Sequence, residues 1–565
     1  MKFLDANEIT ILQLLSDQSK AYRVPLYQRP YVWNDEQWQE LLDDLTNLTD
    51  SDVHFLGSFV VVPDDGDDAN IDTFQVVDGQ QRLATILIWL AALRDIFHRR
   101  GEDKVADFIS GYFSIDQVRG GERTTQPKLI LSTYDDEVFS SILRGDVPDD
   151  PQNLLVKSYH YFKEESLRSG DQEELYTKLL NRVSVVHINV FSHLNAFRLF
   201  ETLNDRGLEL SSADLIKNFI LMKVAGDRET FDLVISRLND MYDRLRERDP
   251  VAFFRRYILS RYRGKVSEAR VYERIRQIIE ALPVEEVCDF AVDISEKALL
   301  YEKILDGATR SVEINKRLRN LNYIKAFAAH SLLLVVLEAF ENTEKLTEEN
   351  AAAILDDIET FHIRWTVCNR FAGNLDKMYN DLCTALEDVR PDRYRGFIRE
   401  FLAGLLEENQ VTDEMFENDF VSRHFNPNEP RTKYILHRLT TPTALVSNGV
   451  DYRSVHTEHI MPKRLTNQWR EYLRRTGRSD DEIAMLHREY HNRIGNLTLI
   501  KGEWYLKYSN KMFNEKITEH HYQDSEFEIT RKLVENGGEW SFERIENRSE
   551  ELFDIVRRHN LWRMD

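Results

Sequence analysis

The sequence predicts a mostly helical α+β protein, and three observations carry that prediction. The N-terminal part mixes β-branched runs with amphipathic helical stretches. From about Phe231 to Glu400 nearly every segment has helical period, with few Gly or Pro. After a break in composition at "FNPNEPRT", from Phe425, short strand and helix signals return. With 565 residues the chain is too long for one ordinary domain. The boundaries read as 1–225 for a mixed α/β domain, 226–405 for a helical bundle and 406–565 for a small mixed domain.

The elements follow in order. "HFLGSFVVV" from His54 is rich in β-branched and aromatic residues and reads as a strand. An acidic loop follows, "PDDGDDAN" from Pro63, and then a second strand, "TFQVVDG" from Thr73, which ends in a turn. "QRLATILIWLAALRDIF" from Gln81 carries a long apolar helical face, and "VSVVHINV" from Val183 is a further strand. "LNAFRLFETLNDRGLELSSADLIKNFILMKV" reads as helix, polar loop from Asn204 to Gly207, and helix; Ser211 or Ser212 can cap the last helix, with Asp214 in its first turn. In the helical middle, "SLLLVVLEAF" from Ser331 is shorter than the ~20 residues that span a bilayer, and Glu338 interrupts it, so it reads as a buried core helix. The C-terminal part reads as a helix ("KYILHRL"), a strand bearing His456, Glu458 and His459, a charged helix, the strand "GNLTLI", and more helix.

Composition narrows the classes. Apolar content of 42% with 30% charged residues describes a globular chain. "MKFLDANEIT" turns polar too early for a signal peptide. Cys288, Cys368 and Cys383 are widely spaced without a CxxC, which argues against a disulfide framework and a structural zinc. A cytoplasmic setting is the expectation, with no membrane association. The net charge of −23 repels nucleic acid at long range, so any DNA role needs local basic surfaces. Three are visible: "FFRRYILSRYRGK" from Phe253, "RSVEINKRLRNLNYIK" from Arg310, and Lys463 to Arg478, with Arg470, Arg474, Arg475 and Arg478.

Three polar motifs sit at element ends in the N-terminal part: "YQRPYVW" from Tyr27, "DGQQR" from Asp78, and "FETLNDRGLELSSADLIK" from Phe200. A strand–turn–helix with Gly79 in the turn presents backbone N–H groups at a helix N-terminus, an arrangement suited to anions. Arg82 can pair with phosphate oxygens, Gln80 or Gln81 can orient a water, and Asp78 can hold a metal or accept a proton. No G-x-x-x-x-G-K-[ST] or G-x-G-x-x-G occurs. Taken together, Gln28-Arg29 with Tyr31 and Trp33, Phe55-Leu56-Gly57, Asp78-Gly79-Gln80-Gln81-Arg82, and Phe200, Asn204, Gly207 and Leu210 followed by Asp214 and Lys217 resemble the DUF262 domain. That ParB-like module forms the N-terminal half of GmrSD-type type IV restriction systems. The resemblance covers roughly the first 225 residues. It implies binding and hydrolysis of an NTP (GTP, ATP, CTP or UTP) coupled to DNA restriction, with Gln28, Arg29, Asp78, Gly79, Gln80, Gln81, Arg82, Asn204 and Gly207 at the nucleotide.

Phosphodiester hydrolysis needs an activated water, a Lewis acid at the phosphate and an oriented base. "EHIMP" from Glu458, followed by "GNLTLI" from Gly495 and a helix, resembles the ββα-metal (HNH) nucleases, and more narrowly DUF1524, the nuclease partner of DUF262 in GmrSD. The resemblance implies that His459 is the general base and that Glu458 is the acidic neighbour holding a divalent metal (Mg²⁺ or Mn²⁺). Pro462 matches the loop proline, and Asn496 the residue that fixes loop and imidazole. Asn510, Phe513 and Lys516 in "SNKMFNEK" match the family's later helix, with Asn510 a metal ligand and Lys516, like His459, Glu458 and Asn496, one of the catalytic residues. The pattern departs at Tyr505, which stands where the family usually has an Asn; Asn510 or Glu503 would then substitute.

Other histidines read as structural. His456 is taken to face away from Glu458. His487 and His491 in "HREYH" share a helix face but lack the H-E-x-x-H order, and are taken as solvated; His520 and His521 are taken as surface. The function implied is a nucleotide-dependent endonuclease of the type IV class that cuts modified phage DNA, possible as a homodimer. Two alternatives are a phosphorothioate-linked defence nuclease and a nucleotide-dependent DNA-binding regulator with an inactive nuclease domain.

Overall fold

The computed structural model describes the chain except for residues 1–3, 26–27, 29, 50–51, 65–71, 120–121, 133–134, 192–211, 225–226, 246–247, 442–453, 502–509, 519–521, 536 and 565. The chain is mostly helical α+β, as the sequence predicts. It divides into two compact units. One comprises residues 1–243 and 269–295, and the other residues 244–268 and 296–565, so both units draw on the long helical stretch.

The first unit is built on a mixed sheet of six strands in the order β1-β8-β3-β4-β2-β7. The strands are β1 (Leu4–Thr10), β2 (Lys20–Arg23), β3 (His54–Pro63), β4 (Asp72–Asp78), β7 (Leu129–Ile130) and β8 (Val183–Val190). A separate antiparallel pair, β5 (Ser114–Arg119) and β6 (Glu122–Pro127), completes the strands of this unit. β3 lies parallel to β8 and antiparallel to β4, and β4 lies parallel to β2. The runs at His54, Thr73 and Val183 form strands as their β-branched content requires. β1, β2 and β7 carry no such signal: "LDANEIT" is polar at three of its central positions, and the other two strands are short. They pair because a neighbour presents an open edge, not because of their own propensity.

The helix Gln80–Arg99 runs directly off β4. Leu83 through Leu93 are buried on every side of it, and Trp89 stacks on Phe162 of the helix Leu154–Ser169 with ring centroids 4.5 Å apart. Such a helix is held by burial around its whole circumference rather than by an amphipathic stripe. It fixes the position of DGQQR at its N-terminal end.

In the second unit the apolar helix His330–Leu337 is buried, as expected, and continues into a π-helical turn at Glu338–Asn342. Among the described residues no helix is long and apolar enough to cross a membrane. The C-terminal part carries an antiparallel pair, β9 (Val455–His459) and β10 (Leu497–Lys501). Trp469, Phe513, Tyr522, Trp540 and Ile545 pack into one core beside it. The helix Phe542–Arg558 comes so close to the turn before β10 that a Cβ on Gly495 would lie 2.0 Å from the Ile545 carbonyl oxygen. Glycine is required there by space.

Candidate active site

β9 and β10 pair with His459 opposite Leu497 and Glu458 opposite Thr498. His459 therefore stands at the last paired position, where the chain leaves the sheet. The segment after it is held from two sides. On one side, Lys516 from the helix Phe513–Thr518 donates to Glu458 Oε1 at 2.6 Å, to the His459 carbonyl at 2.8 Å and to the Ile460 carbonyl at 3.1 Å. All three protons of the ammonium are used, as a fully buried Lys requires. The side chains of Lys516 and Glu458 are 0% and 1% exposed. Burial pushes the Lys516 ammonium down and the Glu458 carboxyl up from their ordinary values, and each charge opposes the other's shift.

On the other side stands Asn496, fully buried. Its amide donates to the carbonyls of Met461 (2.8 Å) and His491 (2.9 Å), and its oxygen accepts from the Met461 N–H (2.8 Å) and from Trp540 Nε1 (3.1 Å). Asn496 thus clamps the loop, as read from the sequence, but it does not touch the imidazole. That contact belongs to Asn492, whose Oδ1 lies 2.9 Å from His459 Nε2. A further buried cation, Arg548, donates to the carbonyls of Gly495 (2.7 Å) and Leu497 (2.9 Å) and pins the turn that carries Asn496.

The His459 imidazole is 8% exposed, and burial pushes its pKa down to about 4, against a smaller opposing effect of the Asn492 contact. The ring is therefore neutral at pH 7 and able to take a proton. One further histidine lies beside it and two more pack on that one, and the sequence reading of two of the three does not hold. His491 stacks on His459 with centroids 6.2 Å apart and rings 18° from parallel, and His487 stacks on His491 at 5.2 Å. His424 meets His491 at 5.9 Å. His487 Nε2 lies 2.9 Å from the Pro462 carbonyl and His491 Nδ1 2.9 Å from the His487 carbonyl, so both rings are fixed rather than solvated. The i, i+4 spacing in "HREYH" was the visible signal. His456 is two residues from Glu458 on β9, so the two share a strand face; the expectation that they oppose fails on the period of two.

The metal role read for Glu458 does not fit its place. Its carboxylate is engaged by Lys516 and closed off from solvent, so an ion could reach it only by breaking a buried ion pair. Asn510, the other ligand read from the resemblance, is exposed. Among the described residues no group of three or more His, Cys, Asp or Glu side chains is placed to hold a metal ion. Glu503 and Tyr505 lie outside the described residues, as do His520 and His521.

The first unit holds the second candidate region. Gly79 has φ +96° and links β4 to the helix Gln80–Arg99, the strand–turn–helix expected; a Cβ there would also lie 2.8 Å from the Phe59 ring. Gln80 and Gln81 are each 8% exposed, and they do not face open solvent as water-orienting groups would. Gln81 accepts from the Val32 N–H (2.8 Å) and donates to the Pro30 carbonyl (3.1 Å), clamping the chain from Pro30 to Val32. Gln28 donates to the Val77 carbonyl at 3.0 Å and lies 3.5 Å from Gln80 Nε2. Asp78 accepts from the Ser58 hydroxyl at 3.0 Å and lies 3.7 Å from Arg82, whose guanidinium also bonds the Ser58 carbonyl. Gln28, Asp78, Gly79, Gln80, Gln81 and Arg82 are therefore brought together; Arg29, Asn204 and Gly207 lie outside the described residues.

The basic segments read as DNA surfaces are largely paired within their own unit. Arg255 and Arg256 both bond Asp376, Arg310 bonds Glu344, and Arg317 bonds Asp356. In the connection between β9 and β10 Arg474 forms a two-pronged pair with Asp480 at 2.8 and 2.9 Å, and Arg478 bonds Glu543. Arg475 is exposed on the same segment.

Comparison with known families agrees with both regions. The model of the GmrSD restriction endonuclease, N-terminal domain, matches residues 11–221, which carry DGQQR. The model of the GmrSD restriction endonucleases, C-terminal domain, matches residues 410–555, which carry the β9–β10 pair and its clamps. No curated protein matches the chain. The two matches take in more than half of the sequence, in N- to C-terminal order, and the chain belongs to the GmrSD restriction endonuclease family.

Proposed function

We propose that the protein is a nucleotide-dependent endonuclease of the type IV restriction class that cuts modified phage DNA. The observation that carries the nuclease chemistry is a neutral, nearly buried imidazole at the end of β9, on a loop held by Lys516 and Asn496. His459 takes a proton from water. The water oxygen then bonds to phosphorus, one P–O ester bond breaks, and the leaving alkoxide takes a proton from solvent. A rigid loop keeps the base in place through this step, because ordering it has no cost at the moment of reaction. A divalent metal such as Mg²⁺ or Mn²⁺ would stabilise charge at the phosphate; Glu458, as placed, does not offer it a ligand.

Nucleotide use is supported by Asp78 and Arg82, which stay partly exposed beside the N-terminus of the helix Gln80–Arg99. GTP, ATP, CTP and UTP share the phosphates that such a site would meet. One base per chain suits the cutting of both strands by a homodimer or by two successive nicks, in a cytoplasmic setting. The test is cleavage of unmodified, glucosylated-hydroxymethylcytosine and phosphorothioate DNA, each with and without the four NTPs. Cleavage of the glucosylated DNA that depends on an NTP is expected. Selective damage governed by phosphorothioate would replace modified phage DNA as the target, and binding without cleavage of any of the three would leave a regulatory role.

A further inference from the structure

We infer that Asn492 is a positioning residue for His459, its side-chain carbonyl holding the imidazole in the Nε2-protonated form and leaving Nδ1 to accept the proton from water. The inference rests on the reading of His459 as the general base. An amide oxygen only accepts hydrogen bonds, so at 2.9 Å from Asn492 Oδ1 the His459 Nε2 must carry the hydrogen. In a neutral imidazole the other nitrogen then holds the lone pair.

Asn496 cannot do this work. Its oxygen already accepts two hydrogen bonds and its amide donates two, so its capacity is used by the loop and Trp540. Asn492 is itself held. Its carbonyl accepts from the Phe425 N–H at 2.8 Å, and it directly follows His491, whose ring lies against one face of the His459 ring. The His491 ring is locked in turn by its bond to the His487 carbonyl. The imidazole is thus fixed by an acceptor at one nitrogen and a stacked ring at its face. A base must present its lone pair to the water in a defined direction, and the alternative tautomer would present a hydrogen there instead.

The experiment compares nicking of glucosylated-hydroxymethylcytosine DNA, with divalent metal and NTP present, by the full chain and by three variants: His459→Ala, Asn492→Leu and Asn492→Asp. Asn492→Leu keeps the branched shape and removes the acceptor, and it should lower kcat by about 10- to 100-fold, the usual cost of losing an orienting partner, with KM for DNA unchanged. Asn492→Asp keeps an acceptor and should cut near the unsubstituted rate. Nicking by His459→Ala at the normal rate would overturn the reading of the base. Loss of nicking in His459→Ala with normal nicking by Asn492→Leu would overturn the positioning role alone. Equal losses in the Leu and Asp variants would also overturn it, since an acceptor would then not suffice. Solid-state ¹⁵N spectra of the histidine-labelled full chain decide the matter even if an Asn492 variant fails to fold. With the His459 signal assigned by its disappearance in His459→Ala, a protonated Nε2 is expected, and a protonated Nδ1 would overturn the inference.

Discussion

The DGQQR junction and the β9–β10 pair both put a charged or polar motif at the end of a strand, yet they are built differently. At DGQQR the glutamines are buried and hold a neighbouring segment, while Asp78 and Arg82 stay 16% and 28% exposed. At the β9–β10 pair the acid is the most deeply buried residue: Glu458 is sealed against Lys516, and the histidine, 8% exposed, stands at the last paired position of β9. An acidic residue in a motif therefore says little about its role. Burial decides whether its charge faces a ligand or a neighbouring side chain, because a carboxylate removed from water needs a full complement of internal partners.

The comparison can be broken most directly at His459. His459→Ala should lower DNA cleavage by about 10²- to 10⁴-fold, the usual contribution of a general base, while NTP hydrolysis continues. Normal cleavage by this variant would remove the β9–β10 pair from the chemistry. Next in size is Lys516→Ala, which leaves the Glu458 charge buried without its partner and should cost about 3–5 kcal/mol in the second unit. Thermal unfolding followed by tryptophan fluorescence measures it, with Trp469 and Trp540 in the adjacent core. The pair of changes Lys516→Met with Glu458→Leu should recover most of that loss. A double variant as unstable as Lys516→Ala would mean that the carbonyls of His459 and Ile460, not the ion pair, dominate the clamp.

Arg82→Ala sharpens the other side of the comparison. A hydrogen bond to a charged group contributes about 1.5–3 kcal/mol, so nucleotide affinity should fall by about ten- to a hundredfold with the fold retained; isothermal titration with each NTP measures it. Unchanged affinity would make the junction a structural turn. The smallest effect is expected at the basic helix. Arg475→Glu should weaken DNA binding across all sequences and flatten the log–log salt dependence by about 0.9 for each phosphate that is no longer neutralised. Arg474→Glu should do less, because that guanidinium is already paired with Asp480. A titration in which Arg474→Glu has the larger effect would show that this pair opens on DNA.

What could be read before the structure follows the strength of local signals. The strands at His54, Thr73 and Val183 and the helix after Asp78 are visible because β-branched runs and a long apolar period repeat within a few residues. β1 is not visible, since Asp5, Asn7 and Glu8 break its pattern and its pairing is supplied by β8, far along the chain. At the candidate site, His459, Asn496 and Lys516 stand in recognisable motifs. Asn492, His487 and His491 do not, although two of them share a helical spacing, because what makes them matter is a ring and an amide placed by a different element.

The sequence by itself determined the mostly helical α+β class, the order of its parts and the two motifs through which the family is recognised, since propensity, periodicity and short motifs are local properties. The tertiary structure alone decided which side chains of those motifs are sealed inside and which remain open. Glu458 reads from sequence as a ligand for a cation and is found holding Lys516; Gln81 reads as a partner for water and is found holding Pro30 and Val32. Desolvation is the reason: it acts through residues distant along the chain, and it makes a buried polar group bond to whatever the fold brings beside it.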